Sequence, residues 1–199
     1  MIFILAILAA IIGAVPLGLV NLSVIETTIH KGHKPAMQIA LGAALVEVIF
    51  GLIAILSGNI LNRLIGNNAF INYMIAGVLL LAGLLFLFIR KSKNIKRQKV
   101  KFSGVFKGIF LNLISLQVFL YWLLAATFFY AYGFEFQSSI SLILLITGIL
   151  TGKIIILWLY SLLSKNVLSN MQIVVNHTNK LMGIILLVSG LIHLTRIQF

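Results

Sequence analysis

Long apolar runs, each about as long as the hydrocarbon core of a bilayer is thick, recur along this chain. Residues 36–58 form one of them, with a single charged side chain, Glu47, near the middle. A helix that crosses a bilayer needs about 20 largely apolar residues. Because 61% of the 199 residues are hydrophobic and only 9% are charged, a soluble fold of this size could not bury the apolar surface. The sequence therefore predicts an all-α, polytopic membrane protein.

Six runs of this kind predict six transmembrane helices. They cover residues 2–29, 36–58, 69–89, 106–132, 136–164 and 181–195. The first run is interrupted by Pro16-Leu17-Gly18, where proline removes a backbone donor and glycine lets the chain bend. Polar residues interrupt the fourth run at Asn112, Ser115 and Gln117. We expect a break or kink at both places, and a polar turn at residues 58–68.

Basic residues lie mainly on one side of the six predicted spans. Twelve of the 15 lysines and arginines fall in loops on that side, and two fall on the other. Because cytoplasmic loops of membrane proteins carry an excess of Lys and Arg, we expect the basic side in the cytoplasm and both termini outside. Membrane topology thus accounts for the formal charge of +12, and we do not expect the protein to bind nucleic acid.

A basic segment divides the six spans into two sets of three. The predicted divisions are residues 1–90, 91–103 and 104–199. Because three is odd, the second set must enter the membrane in the opposite orientation. Two inverted three-helix repeats of this kind occur in many secondary transporters, whose binding sites lie at the midplane where broken helices meet. The pair Gly42 and Glu47 supports a repeat, because Gly148 and Lys153 have the same spacing in the second half.

Glu47 and Lys153 are the strongest candidates for a functional site. A charge at bilayer depth costs roughly 2.5–3.5 kcal/mol on insertion scales, so such residues usually have a partner or a function. A carboxyl group in apolar surroundings can exchange a proton, which would suit Glu47 to ion coupling. Lys153 would be either the counter-ion of Glu47 or a contact for a substrate carboxylate. The alternatives are a purely structural ion pair, a permanently protonated Glu47 carboxyl, and a lysine that extends to the membrane interface.

The two interrupted spans contain further candidate binding groups. Freed backbone groups at a break, and amides beside it, could bind a zwitterionic solute, whereas the alternative is hydrogen bonding between helices. These candidates are Pro16, Gly18, Asn21, Asn112, Ser115 and Gln117. The sequence has no cysteine, no nucleophile motif and no phosphate-binding glycine loop, so we expect no cofactor, no metal site and no enzymatic activity.

Motifs in both halves of the chain resemble those of a known family, the LysE-type translocators, which are bacterial amino-acid exporters. In the first half these motifs are Gly13-Ala14-Val15-Pro16-Leu17-Gly18, Gly32-His33-Lys34, and Gly42 followed by Glu47. In the second half Phe106-Lys107-Gly108 fits the family pattern, and Ser115-Leu116-Gln117 stands where the family usually has Asn-Pro-Lys. The resemblance implies export of small amino acids or similar solutes across the bacterial cytoplasmic (inner) membrane, driven by a proton or ion gradient.

Three functions are compatible with the sequence. The first is a secondary exporter of small zwitterionic solutes coupled to protons, with the solute, the coupling ion and membrane lipid as its partners. The second is an exporter of inorganic ions or metals, which would need more oxygen ligands than one carboxylate and a few amides. The third is a membrane subunit that does not transport and that contacts lipid through the basic segment. A homodimer is compatible with the small residues in the spans.

Overall fold

The computed structural model describes residues 1–65, 69–88, 102–134, 136 and 138–169, and residues 180, 183–184, 186–188, 190–192 and 194–195. Within these residues the chain is helical and has no strand, which confirms the predicted all-α class. Residues 91–101 of the predicted basic segment lie outside the described residues.

Eight helices are assigned in the described part of the chain. They are α1 (Ile2–Ala14), α2 (Leu19–Lys31), α3 (His33–Ile65), α4 (Ala69–Phe88), α5 (Gly104–Leu113), α6 (Leu116–Ala131), α7 (Ser139–Leu162) and α8 (Ser164–Ser169). By length and composition, His33–Gly58 and Ser139–Leu162 can each cross a membrane, and the number rises to four if each of two bent helix pairs is one span. The predicted count of six spans stays a prediction.

The first predicted span is broken where the sequence predicts it. The axes of α1 and α2 are bent by 79° on either side of Pro16. In the first turn of α2, Asn21 Nδ2 donates hydrogen bonds to the carbonyl oxygens of Ala14 (2.7 Å) and Pro16 (2.8 Å). Carbonyl groups at the end of a helix have no partner within it, so the Asn21 amide satisfies two groups that the break would otherwise leave unpaired.

The fourth predicted span is also broken, although it contains no proline. Gly104–Leu113 and Gln117–Tyr130 are bent by 66° relative to each other. Ser115 is the N-cap residue of α6, and its carbonyl oxygen accepts a hydrogen bond from the Val118 amide at 2.9 Å. The polar cluster that interrupted the sequence pattern therefore coincides with the end of one helix and the start of the next.

The predicted polar turn at residues 58–68 is wrong over its first part, because α3 continues to Ile65. The polar residues that suggested the turn are Asn59, Asn62 and Arg63. Their spacing of three and four places them on one face of a helix, with apolar residues between them. The helix therefore continues through this stretch.

Two glycines bring α7 into close contact with α1. A Cβ atom on Gly148 would lie 2.7 Å from the carbonyl oxygen of Phe3, and one on Gly152 would lie 2.6 Å from that of Ile7. Both distances are too short for a real side chain, so the two backbones can approach this closely only because these residues are glycine. Small residues serve this purpose at helix contacts in membranes.

A second close contact of this kind joins α3 and α5. A Cβ atom on Gly42 would collide with the carbonyl oxygen of Val105, and one on Gly108 would collide with that of Ile39. The first half of the chain therefore contacts the second half at two glycine-mediated crossings, α1 with α7 and α3 with α5.

The chain divides into two compact units that do not follow the predicted halves. One unit contains Met1–Asn59 and Gln98–Asn170, and the other contains Ile60–Arg97 and Met171–Phe199. Buried apolar side chains around Trp122, on α6, form the core of the first unit. In the second unit, Gly83 and Gly183 lie against each other, as their short backbone distances show. Each unit combines segments from both predicted repeats, and the division into repeats stays a prediction.

Candidate functional site

A buried ion pair lies between the two charged residues that the sequence singled out. Lys153 Nζ is 2.5 Å from Glu47 Oε2, and the two side chains are 3% and 1% exposed. Glu47 lies on α3 and Lys153 on α7, 106 positions apart in the chain. Of the two roles considered for Lys153, the structure shows it as the counter-ion of Glu47.

The helices that carry the pair run antiparallel through it. Gly51, one turn after Glu47 on α3, lies against Ile149, one turn before Lys153 on α7. Trp122 packs beside the same glycine, with Cε3 at 3.4 Å from the position of a Gly51 Cβ atom, and its side chain is fully buried. Ile149 and the indole ring of Trp122 therefore pack against Gly51, one helical turn from the ion pair.

Asn112 is held one helical turn from Glu47. Its Nδ2 donates a 2.7 Å hydrogen bond to the carbonyl oxygen of Ala43, and the side chain is fully buried. In a continuous α-helix this same carbonyl accepts the backbone N–H of Glu47, four residues later. Asn112 at the end of α5 therefore anchors the turn of α3 from which Glu47 projects.

Three buried polar atoms of the described residues have no hydrogen-bond partner. They are Ser23 Oγ, Asn112 Oδ1 and Trp122 Nε1, not counting Glu47 Oε2, which is held in the ion pair with Lys153. A buried polar group without a partner costs about 1–3 kcal/mol, so such groups call for an explanation, and binding of a polar ligand is one. Asn112 and Trp122 both lie beside the helix that carries Glu47.

The remaining candidate residues have different surroundings. Pro16 and Gly18 lie in the first break, where Asn21 uses its amide on the backbone of the same segment. At the second break Ser115 is half-buried and Gln117 is exposed. The structure therefore brings Glu47, Lys153 and Asn112 together in the interior, and it leaves Gln117 on the surface of the described part.

Two residues near this site, Tyr121 and Trp122, were not predicted from the sequence. Tyr121 donates a 2.6 Å hydrogen bond to the Ala9 carbonyl oxygen, and its ring packs against that of Trp122. Trp122 follows it in the chain. Both sit within an apolar span, where an aromatic residue has no pattern that distinguishes a site from ordinary core packing.

Most of the chain matches a model of a known protein family. The model described as LysE type translocator matches residues 11–196, which include both charged residues of the buried pair and the breaks of both interrupted spans. Comparison with curated proteins and with solved structures gave no significant match. Among the described residues, no three His, Asp or Glu side chains are grouped as a metal site requires. With a match over nearly its whole length, this chain belongs to the LysE type translocator family and is a multi-pass membrane protein of a family of transporters.

Proposed function

We propose that this protein is a secondary active exporter of small amino acids or related zwitterionic solutes, with proton coupling through Glu47. The observation that carries the proposal is the buried pair of Glu47 and Lys153. A buried ion pair is weak evidence of a gain in stability, because desolvating both charges offsets much of their attraction. Its presence deep in a transport protein is better explained by a function that needs both charges.

The pair is chemically complementary to a zwitterion. A bound amino acid would present its carboxylate to Lys153 and its ammonium group to Glu47, so that two intermolecular pairs replace one internal pair. No charge would then remain buried without a partner, and this is the condition under which charges are tolerated in an apolar interior. The unpartnered Asn112 Oδ1 and Trp122 Nε1 would offer an acceptor and a donor to the same solute.

Protons would be coupled through the competition for Glu47. A proton and the ammonium group of the solute cannot both be bound by the Glu47 carboxylate, so protonation of Glu47 from outside displaces the solute. Loss of the proton to the cytoplasm frees the carboxylate to bind the next solute or to pair with Lys153, so protons move inward as the solute moves outward. Intramembrane carboxyl groups are typical members of proton relays in pumps and transporters.

We also propose that the two halves of the chain are inverted repeats around this pair. Glu47 and Lys153 are at equivalent positions of the predicted repeats, each five residues after a glycine. Equivalent positions can touch only if the axis relating them passes close by, and Nζ and Oε2 are 2.5 Å apart. The two broken spans, and the antiparallel contact of α3 with α7, are the arrangement that such an axis would produce.

Proteoliposomes test the proposed function. Vesicles loaded with radiolabelled neutral amino acids should release them through the purified protein, faster when an inward proton gradient is imposed. Glu47→Gln should remove the dependence on the gradient, and Lys153→Gln should lower the rate, while Thr147→Ala, an exposed hydroxyl on α7, should change neither. If Glu47→Gln leaves both the rate and the pH dependence unchanged, proton coupling through this residue is wrong. If no neutral amino acid is released, the proposed substrate class is wrong.

A further inference from the structure

A chain of side-chain hydrogen bonds joins α2, α3 and α7 at one end of the first unit. Ser161 Oγ lies 2.7 Å from Thr28 Oγ1 and 2.7 Å from His33 Nδ1, and Thr28 Oγ1 donates to the Val24 carbonyl oxygen at 2.9 Å. We call the contact of Thr28, His33 and Ser161 the Ser161 tie. Ser161 is buried, whereas His33 is exposed, so the tie runs from the interior to the surface.

The direction of these hydrogen bonds follows from the number of protons available. Thr28 has one hydroxyl hydrogen, and it is used on Val24, so Thr28 must accept from Ser161. Ser161 has then used its own hydrogen and must accept from His33 Nδ1. The hydrogen of this bond is therefore carried by Nδ1 of His33.

A second contact joins α6 to α3. Tyr130 donates a 2.8 Å hydrogen bond from its hydroxyl to the carbonyl oxygen of Ile55, and its ring packs against Gly58, where a Cβ atom would lie 2.6 Å from Cε2. We call the contact of Tyr130 with Ile55 and Gly58 the Tyr130 tie. The Ile55 carbonyl also belongs to the continuous helix α3, so it keeps its helical partner when Tyr130 leaves.

The two ties are placed symmetrically about the ion pair. Ser161 is eight residues after Lys153 on α7, and Ile55 is eight residues after Glu47 on α3. Eight residues correspond to about 12 Å along a helix axis. Because α3 and α7 run antiparallel through the pair, the two ties lie on opposite sides of it. Each tie also joins the second part of a broken span to the charged helix of the other half.

We infer that the Ser161 tie and the Tyr130 tie are the two gates of this transporter, which open in alternation to expose the Glu47–Lys153 pair to one side of the membrane or the other. The inference rests on the proposed function. With both ties formed, the pair is almost completely shielded, at 1% and 3% exposure, so the structure corresponds to an occluded state. A site reached from two sides needs a closure on each side, and each tie is a polar contact between the charged helix of one half and the broken span of the other.

Both ties are built so that they can open. At the Ser161 tie, α2 and α3 are joined by Gly32, which has a φ of +87° and no atom near the position of a side chain, so a hinge is available beside the contact. His33 is already at the surface and can exchange its hydrogen bond for one with water. Opening of the Tyr130 tie would break one hydrogen bond, and the Ile55 carbonyl would keep its partner within the helix.

Thiol labelling from each side of the membrane tests the assignment. The chain has no cysteine, so Ile149→Cys, one turn from Lys153, places a single buried reporter beside the pair. Proteoliposomes of phosphatidylethanolamine and phosphatidylglycerol, with the protein in one known orientation, are treated with a membrane-impermeant methanethiosulfonate reagent inside or outside. Loss of one hydrogen bond shifts a population about fivefold, so labelling should accelerate about fivefold on release of the Tyr130 tie and more on release of the Ser161 tie, which loses two.

Substitutions that open one gate should accelerate thiol labelling from one side of the membrane only. Thr28→Val combined with Ser161→Ala should accelerate labelling from one side, and Tyr130→Phe should accelerate it from the other. Thr127→Val is the matched control, because its hydroxyl bonds only to the Leu123 carbonyl of the same helix in this structure, and it should leave both rates unchanged. Acceleration from the same side by both changes, from both sides by either, or by neither would overturn the assignment.

Cross-links provide a second measurement that does not depend on removing hydrogen bonds. Thr28→Cys with Ser161→Cys should form a disulfide, because the two hydroxyl oxygens are 2.7 Å apart. Gly58→Cys with Ala126→Cys should join α3 to α6 at the other tie in a protein that also carries Tyr130→Ala, because the Tyr130 ring would collide with a Cβ atom on Gly58. The Cβ positions of residues 58 and 126 are 3.4 Å apart, close to the usual disulfide separation of about 3.8 Å. Each oxidised protein should lose transport of radiolabelled alanine and recover it on reduction. Continued transport by either oxidised protein would contradict the assignment of the gate that its disulfide holds closed.

The outcomes separate this inference from the function it rests on. If the protein without substitutions transports no neutral amino acid but the labelling is one-sided as expected, the gates stand and the proposed solute is wrong. If transport occurs but the labelling does not respond to release of either tie, the proposed function stands and the gates are wrong.

Discussion

The side-chain amide of Asn112 donates a 2.7 Å hydrogen bond to the backbone carbonyl of Ala43, across the contact between α5 and α3. Gly42 precedes Ala43 and Gly108 lies one turn before Asn112, so the hydrogen bond stands at the place where the two backbones approach most closely. The carbonyl of Ala43 also accepts the amide of Glu47 in the regular helix. One side chain thus connects the broken fourth span to the helix that carries the buried carboxylate.

This hydrogen bond predicts an order of stability between two variants of Asn112. Asn112→Ala removes one donor and should lower the free energy of unfolding by about 1 kcal/mol. Asn112→Asp should cost about 3 kcal/mol or more, because a carboxylate cannot donate to the Ala43 carbonyl and would be buried without a counter-ion. Thermal unfolding in detergent measures both. Equal stability of the two variants would contradict the assigned hydrogen bond.

The crossing of α3 and α5 predicts that Gly42 cannot be replaced. A Cβ atom at this position would collide with the Val105 carbonyl, so Gly42→Ala should lower the free energy of unfolding by about 1–3 kcal/mol. Gly77→Ala is the matched control, because it is also a helical glycine and has no atom within 4 Å of its Cβ position. It should be neutral or should stabilise by about 0.5–1 kcal/mol. Chemical denaturation in mixed micelles distinguishes them, and similar losses for both would refute the close crossing.

The turn between α2 and α3 predicts a second intolerant glycine. Gly32 has φ +87° and ψ 178°, a backbone conformation that is essentially restricted to glycine, and its side-chain position is open. Gly32→Ala should therefore lower stability by about 1–3 kcal/mol through the backbone alone. Gly18 lies at the other end of α2 with φ −97°, which any residue can adopt, so Gly18→Ala should lose only about 0.5 kcal/mol in the same unfolding measurement. A larger loss for Gly18→Ala than for Gly32→Ala would show that the backbone conformation is not the cause.

The local features of this fold could be predicted from the sequence because they depend on neighbouring residues. Pro16 removes a donor wherever it occurs in a helix, and the break there is confirmed. The predicted end of the second span was wrong because Asn59 and Arg63 are polar, and polar residues occur both in turns and within longer helices.

The site could be predicted only in part, since it depends on which helices meet. Glu47 and Lys153 were recognisable because charges in apolar spans are rare, but their contact requires α3 and α7 to be adjacent, and spacing along the chain cannot establish that. Thr28 and Ser161 are 133 residues apart and sit in unremarkable sequence. Trp122 resembles any core aromatic until the structure shows that its N–H has no partner.

The buried pair itself predicts a strongly non-additive response to substitution. Glu47→Gln and Lys153→Gln should each lower the free energy of unfolding by about 3–5 kcal/mol, because each leaves the other charge buried without a partner. The double variant removes both charges and should be more stable than either single variant, since paired neutral amides avoid the cost of an isolated charge. Denaturation of all four proteins in the same micelles gives the coupling energy directly.

Transport by the same four proteins separates the structural role of the pair from its functional one. A pair that only holds α3 and α7 together would allow the double variant to recover transport as it recovers stability. A pair that binds the solute and exchanges the proton would leave the double variant folded but inactive, and this is the result we expect. If the stability losses of the single variants simply add in the double variant, the two side chains do not interact, and the proposed site loses its central contact.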